Sequence, residues 1–112
     1  MIDTDLEHID EAACRQFLTS VDQVGRKWNA AILLAAVRGA RRFSEYRATV
    51  SGISDRLLAA RLRELEMDGL IQRDVTPTTP VSISYAPTSR GRELIGALQP
   101  LVTWSREHSP AT

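Results

Sequence analysis

The sequence predicts an α+β fold, mainly α: four helices, a two-stranded β-hairpin and a closing helix. Three observations predict it. Apolar residues recur at helical spacing in four segments before Gly69. Gly25, Gly39, Gly52 and Gly69 stand at the segment ends. From Ile71 onward the period changes to strict alternation.

Residues 1–9 read as an acidic flexible tail and residues 10–108 as one domain. The first helix is predicted from Asp10 to Val24, with Ala13, Phe17, Leu18, Val21 and Val24 on the helical repeat and Gly25 closing it. A second runs from Lys27 to Arg38 and stops at Gly39. A third, from Phe43 to Val50, has Ser44 available as its cap, and Ser51-Gly52 makes a turn. The fourth starts at Ser54. Its Leu58, Leu62 and Leu65 fall within about 40° on a helical wheel and mark the buried side, with Leu57 and Arg61 at the margin. Arg56, Ala59, Ala60 and Arg63 lie opposite, and Gly69 ends the helix in a left-handed conformation. Ile71–Thr76 and Val81–Tyr85 are the hairpin strands, joined by residues 77–80. Thr88 caps a last helix carrying Leu94, Ile95, Leu98, Leu101, Val102 and Trp104, with a kink at Pro100.

The chain has 112 residues and a formal net charge of zero, but the charge is unevenly spread. Residues 1–13 hold five acids and no Lys or Arg. Between Arg26 and Arg63, nine basic residues face only Glu45 and Asp55, a net of +7. A phosphate backbone would select such a block, although an arginine-rich solvated surface has the same composition. No apolar run reaches the length of a membrane span, and the N-terminus is acidic where a secretory leader is basic, so a cytoplasmic location without membrane contact is expected. No Gly-rich phosphate loop, zinc-protease motif or nucleophile elbow is present, so no enzyme is expected. His8 and His108 lie near opposite ends, and neither a metal nor another cofactor is expected.

A helix followed by a Gly turn and a hairpin is how a winged helix-turn-helix begins its recognition helix and wing. In that fold the recognition helix enters the DNA major groove while a preceding helix braces it. Ser54, Asp55, Arg56, Ala59, Ala60 and Arg63 form the groove-facing set, with Arg56 placed for a bidentate contact to guanine. Arg41, Arg42 and Ser44 suit phosphates, and the hairpin adds Arg73, Thr76, Thr78 and Thr79. Plainer roles stand beside these: Arg63 pairing with Glu66, Asp55 capping its helix, and the threonines solvating a turn.

Residues 25–46, GRKWNAAILLAAVRGARRFSEY, and 52–94, GISDRLLAARLRELEMDGLIQRDVTPTTPVSISYAPTSRGREL, resemble the HxlR-type winged helix-turn-helix regulators of the MarR-like superfamily. The joined motifs are K-W, R-F-S-E, I-S-x-x-L-L-x-x-R-L-x-E-L-E, D-G-L-I-x-R, P-V-x-I-x-Y and T-x-x-G. The resemblance implies a homodimer held by the first and last helices on double-stranded, pseudo-palindromic operator DNA, with half-sites about 34–36 Å apart. It implies a transcriptional regulator, read here as a repressor. Ser82 stands where the family often has a wing Lys or Arg, and Pro87 where a Leu is common.

Cys14 is the only cysteine, and some family members use a cysteine placed like this to sense oxidants or electrophiles. Here Arg15 follows it instead of the usual Pro, and Asp10 and Glu11 lie within one turn. Two roles are open to Cys14: redox sensor, or small apolar residue in the dimer interface. Phe17, Trp28 and Trp104 are candidates for an effector pocket at that interface, taking a small aromatic or electrophilic ligand, and equally for core or dimer packing. The competing function is a winged-helix module that contacts proteins without binding DNA.

Overall fold

The computed structural model describes residues 8–109, in the order α1 (Glu11–Gly25), α2 (Asn29–Val37), α3 (Phe43–Thr49), α4 (Asp55–Met67), β1 (Ile71–Thr76), β2 (Ser82–Pro87), α5 (Ser89–Ala97) and α6 (Gln99–His108). The acidic tail expected over residues 1–9 falls, apart from His8 and Ile9, outside the described residues. Among those described, no helix is long and apolar enough to cross a membrane.

The core is built around α2. That helix is apolar on nearly every side, and a helix of this kind is stable only when surrounded. It contributes Ile32, Leu33, Ala35 and Ala36. They meet Tyr46 from α3, Val50 and Ile53 from the turn, Leu58, Leu62 and Leu65 from α4, and Leu70 and Ile71 beyond it. The three leucines of α4 are thus buried as their spacing predicts.

Three caps follow from side chains at the helix starts. Asp10 accepts the Ala13 N–H at 2.7 Å, Ser54 that of Leu57 at 3.1 Å, and Thr88 that of Gly91 at 3.0 Å. At α3 the expected Ser44 cap is replaced. Arg42 occupies the cap position, and the Glu45 carboxylate accepts the backbone N–H groups of Arg42 (2.8 Å) and Arg41 (2.9 Å). These two bonds, that to Arg42 first, hold the Glu45 carboxyl below the usual carboxylate range.

Two further expectations change. The second helix begins at Asn29 rather than Lys27, because Trp28 adopts a left-handed conformation with φ of 82°. That backbone is uncommon for a bulky residue. It turns the indole, half-buried, toward the core and against Gly52, while the Asn29 side chain reaches back to the Gln23 carbonyl at 2.8 Å. The closing helix is two helices, not one with a kink. The break falls at Leu98, and Pro100 sits in the first turn of α6, where a missing N–H costs no helical bond.

The strands pair antiparallel in the register Ile71↔Pro87, Arg73↔Tyr85 and Thr76↔Ser82. The second strand starts one residue later than predicted, after a connection in which Thr78 donates its hydroxyl to the Pro80 carbonyl at 2.8 Å, and it runs on to Pro87, which pairs with Ile71. Two bonds seat the hairpin on the helices. The Tyr85 N–H donates to the Arg41 carbonyl at 2.7 Å, and the Tyr46 hydroxyl donates to the Tyr85 carbonyl at 2.7 Å. The two tyrosine rings meet edge to face, 6.2 Å between centroids, and burial pushes the Tyr46 hydroxyl up to about 12.

The base of the hairpin is latched to the start of α5. Gly69, in the left-handed conformation (φ of 75°), ends α4. Its carbonyl accepts the Thr88 hydroxyl at 2.6 Å, and the Leu70 carbonyl accepts the Thr88 N–H at 3.1 Å. Gly91 then passes directly over Leu70, where a Cβ would collide with the Leu70 carbonyl group. The T-x-x-G motif is therefore one capping hydroxyl and one residue without a side chain, three apart.

Candidate nucleic-acid interface

The outer face of α4 carries Arg56, Ala59, Ala60 and Arg63, all exposed, as the burial of Leu58, Leu62 and Leu65 requires. Among the described residues neither Arg56 nor Arg63 makes an ion pair or a side-chain hydrogen bond, so the alternative pairing of Arg63 with Glu66 is not formed. Ser54 is occupied as the helix cap. Asp55 in the first turn is held by Arg47 of α3, whose guanidinium lies 3.1 and 3.3 Å from the two carboxylate oxygens. This pair balances a negative charge next to Arg56 and ties the bracing helix to the start of α4. Its role is invisible in the sequence, because the two residues meet only across the Ser51-Gly52 turn.

The two arginines expected at phosphates are separated. Arg41 turns inward: its guanidinium donates to the Ala36 carbonyl at 2.9 Å and the Ala40 carbonyl at 2.7 Å, covering the C-terminal end of α2. Arg42 stays on the surface and spans to the wing, donating to the Ser82 hydroxyl at 3.2 Å. A cation is thus supplied from the cap of α3 at the strand position where Ser82 stands. Ser44 is exposed in the first turn of α3.

Between α4 and the hairpin runs an open cleft of about 770 Å³, lined by Ala59, Arg63, Glu66, Met67, Arg73 and Tyr85. Arg63 and Arg73 therefore face one space from opposite walls. Thr76, Thr78 and Thr79 are exposed at the far end of the hairpin. The +7 block is in part used internally. Arg26 lies 3.6 Å and Arg61 2.9 Å from Glu64, and Arg47 pairs with Asp55, which leaves Arg38, Arg42, Arg56 and Arg63 with Lys27 as its outward charge.

Away from this face, Cys14 is exposed on α1. Phe17 on α1 is 59% exposed and Trp104 on α6 57%, the latter stacked on His108 with ring centroids 4.7 Å apart. Trp28 instead packs against the core. Of the three aromatics suggested for an effector pocket, Phe17 and Trp104 are thus exposed on α1 and α6, and Trp28 is packed against the core.

The model of the HxlR-like helix-turn-helix family matches residues 23–112. The HTH-type transcriptional regulator YvaP of Bacillus subtilis is 39% identical over 94 residues, 84% of this chain and 87% of that protein. The B. subtilis HTH-type regulator YodB is 34% identical over 92 residues, 82% of each chain. Its reduced structure superposes with a TM-score of 0.77 at 32% identity (86% of this chain, 94% of that one), and its diamide-treated structure with 0.74 (88% and 97%). The redox regulator HypR in its oxidised form gives 0.76 at 29% identity, covering 86% of this chain and 99% of that one. The winged helix-turn-helix predicted from the element order is the fold these proteins share, and with the family model matched over four-fifths of its length this chain belongs to the HxlR-type family of helix-turn-helix transcriptional regulators.

Proposed function

We propose that the protein acts in the cytoplasm as a homodimeric repressor, binding a pseudo-palindromic double-stranded operator through α4 and the hairpin of the 10–108 domain. The observation that carries this reading is the exposed pair Arg56 and Arg63, without acidic partners, on either side of Ala59 and Ala60. Two small residues let the helix lie close in a groove, and the flanking cations supply base and phosphate contacts. Arg42 and Arg73 extend the charge toward the wing.

The test is binding to the DNA upstream of the regulated gene, followed by fluorescence anisotropy as salt is raised. Affinity falls by at least about 100-fold between 50 and 200 mM salt, and a salt-insensitive interaction would point to a protein partner instead. Arg56→Ala weakens operator binding by roughly 5- to 150-fold, about 1–3 kcal/mol, and relaxes preference at one base position. An equal loss on every sequence assigns Arg56 to phosphate.

The dimer is supported by apolar surface that a monomer leaves in water. On α1, Cys14, Phe17, Leu18 and Val21 share one face at helical spacing, and Leu101, Val102 and Trp104 are exposed on α6. Cys14 therefore lies at the edge of the surface through which two copies would meet. YodB has been solved reduced and diamide-treated, and HypR is a redox regulator, which favours an oxidant or electrophile as the releasing signal. Diamide alters operator affinity of the native protein and leaves Cys14→Ser unchanged. Equal responses of the two would remove Cys14 from the mechanism.

A further inference from the structure

Arg61 stands at the margin of the buried stripe of α4, and its side chain is only 15% exposed. Its Nη1 donates to both carboxylate oxygens of Glu64, at 2.9 and 3.1 Å, and its Nε donates to the Lys27 carbonyl at 3.3 Å. That carbonyl lies in the corner between α1 and α2 and accepts no backbone N–H among the described residues. Glu64 in turn faces Arg26 of the same corner at 3.6 Å. Among the described residues, no other hydrogen bond or ion pair joins residues 11–28 to α4.

Leu58, Leu62 and Leu65 hold α4 on the core, but hydrophobic attraction has no direction and leaves a helix free to roll or slide on its bed. Charge-assisted bonds from a guanidinium do have direction. The Arg47–Asp55 pair fixes the first turn of α4 to α3, and Arg61 fixes its middle to the end of α1. Arg26 adds less, because its side chain is 58% exposed and its ion pair is long. The corner itself has little slack: the Asn29 side chain holds the Gln23 carbonyl of α1, and the Trp28 ring lies on the core.

On the homodimeric, operator-binding reading above, we propose that Arg61 is a positioning residue. Without touching DNA, it sets the angle between α1, which carries the dimer face, and α4, which reads the groove, and so sets the half-site spacing that the dimer accepts. With 15 residues α1 is about 22 Å long, so a tilt of about 10° at the corner displaces its far end by roughly 4 Å, on the order of one base-pair step. A dimer whose two α4 helices are loosened to that extent accepts several spacings instead of one.

The test uses the full chain and an operator selected from random DNA, rebuilt with one or two base pairs added or removed between its half-sites, alongside a single half-site. The native protein binds its best spacing at least about tenfold more tightly than the neighbouring ones, because one base pair both lengthens and rotates the site. In Arg61→Met, which keeps the apolar stem and loses the donors, that ratio falls to about threefold or less, while affinity for the single half-site stays within about twofold of native. Glu64→Gln keeps the shape and loses the charge that holds Arg61, and it lowers the ratio in the same direction. Circular dichroism checks that both variants fold. A ratio unchanged in either folded variant overturns the proposal. So does an equal loss on the single half-site, which would put Arg61 on the DNA or reduce it to a stabilising contact within α4. A native protein that selects no paired half-sites fails the homodimer reading itself, and the role of Arg61 with it.

Discussion

Gly91→Ala lowers stability by about 2 kcal/mol or more and the melting temperature by roughly 10 °C or more. The cause is local and backbone-made. A methyl group at this position meets the Leu70 carbonyl oxygen, with the carbonyl carbon at 3.1 Å and Cα at 3.5 Å, and none of these is the end of a side chain that can swing aside. Relief requires α5 to move off the Gly69-Leu70 corner, which breaks the bonds from Thr88 to the Gly69 and Leu70 carbonyls. Gly96→Ala is the matched control. It lies in the same helix with nothing within 4 Å of the added carbon, and it stabilises by about 0.5–1 kcal/mol through helix propensity alone. Thermal unfolding of the two variants should separate in opposite directions, and equal melting temperatures would show that the close approach at Gly91 is not rigid.

Leu62→Ala costs about 2–5 kcal/mol. Leu62 is 1% exposed, between Leu58 and Leu65 on the buried face of α4, and it packs into the cluster that α2 centres. Truncation removes its burial and leaves a void that the crossing helices cannot collapse without breaking other contacts. The neighbouring Arg63→Ala, on the opposite face, should change stability by less than about 0.5 kcal/mol. A denaturant midpoint for Leu62→Ala equal to that of Arg63→Ala would mean that α4 faces the other way. The outward face inferred from that orientation, with Arg56 and Arg63, would then be lost too.

What could be read from the chain was whatever depends on neighbours in sequence. The buried stripe of α4, the cap at Thr88, the left-handed Gly69 and the span of β1 all follow from spacing or from the conformational range of one residue. What could not be read depends on where chain segments meet. Trp28 takes a conformation that local preference opposes, because it turns a large ring onto the core. Arg41 and Arg42 are adjacent and chemically identical, yet one covers the carbonyls of α2 while the other reaches the wing, a division set by the docking of the hairpin on α3. The Arg47–Asp55 pair is likewise a product of the turn between α3 and α4. T-x-x-G was legible as a motif. Its second half is explained only by the approach of α5 to Leu70.

The latch at Thr88 also bears on how such a wing can vary. Because Gly69, Leu70 and Thr88 close the hairpin at its base, residues 71–87 form a loop whose ends are held together whatever happens at the tip. Lengthening the 77–80 connection then adds little closure entropy, since that cost grows only with the logarithm of loop length. Insertions at the tip should be absorbed without loss of stability, so the reach of the wing can diverge between descendants of one ancestor while the helices beneath it stay as they are.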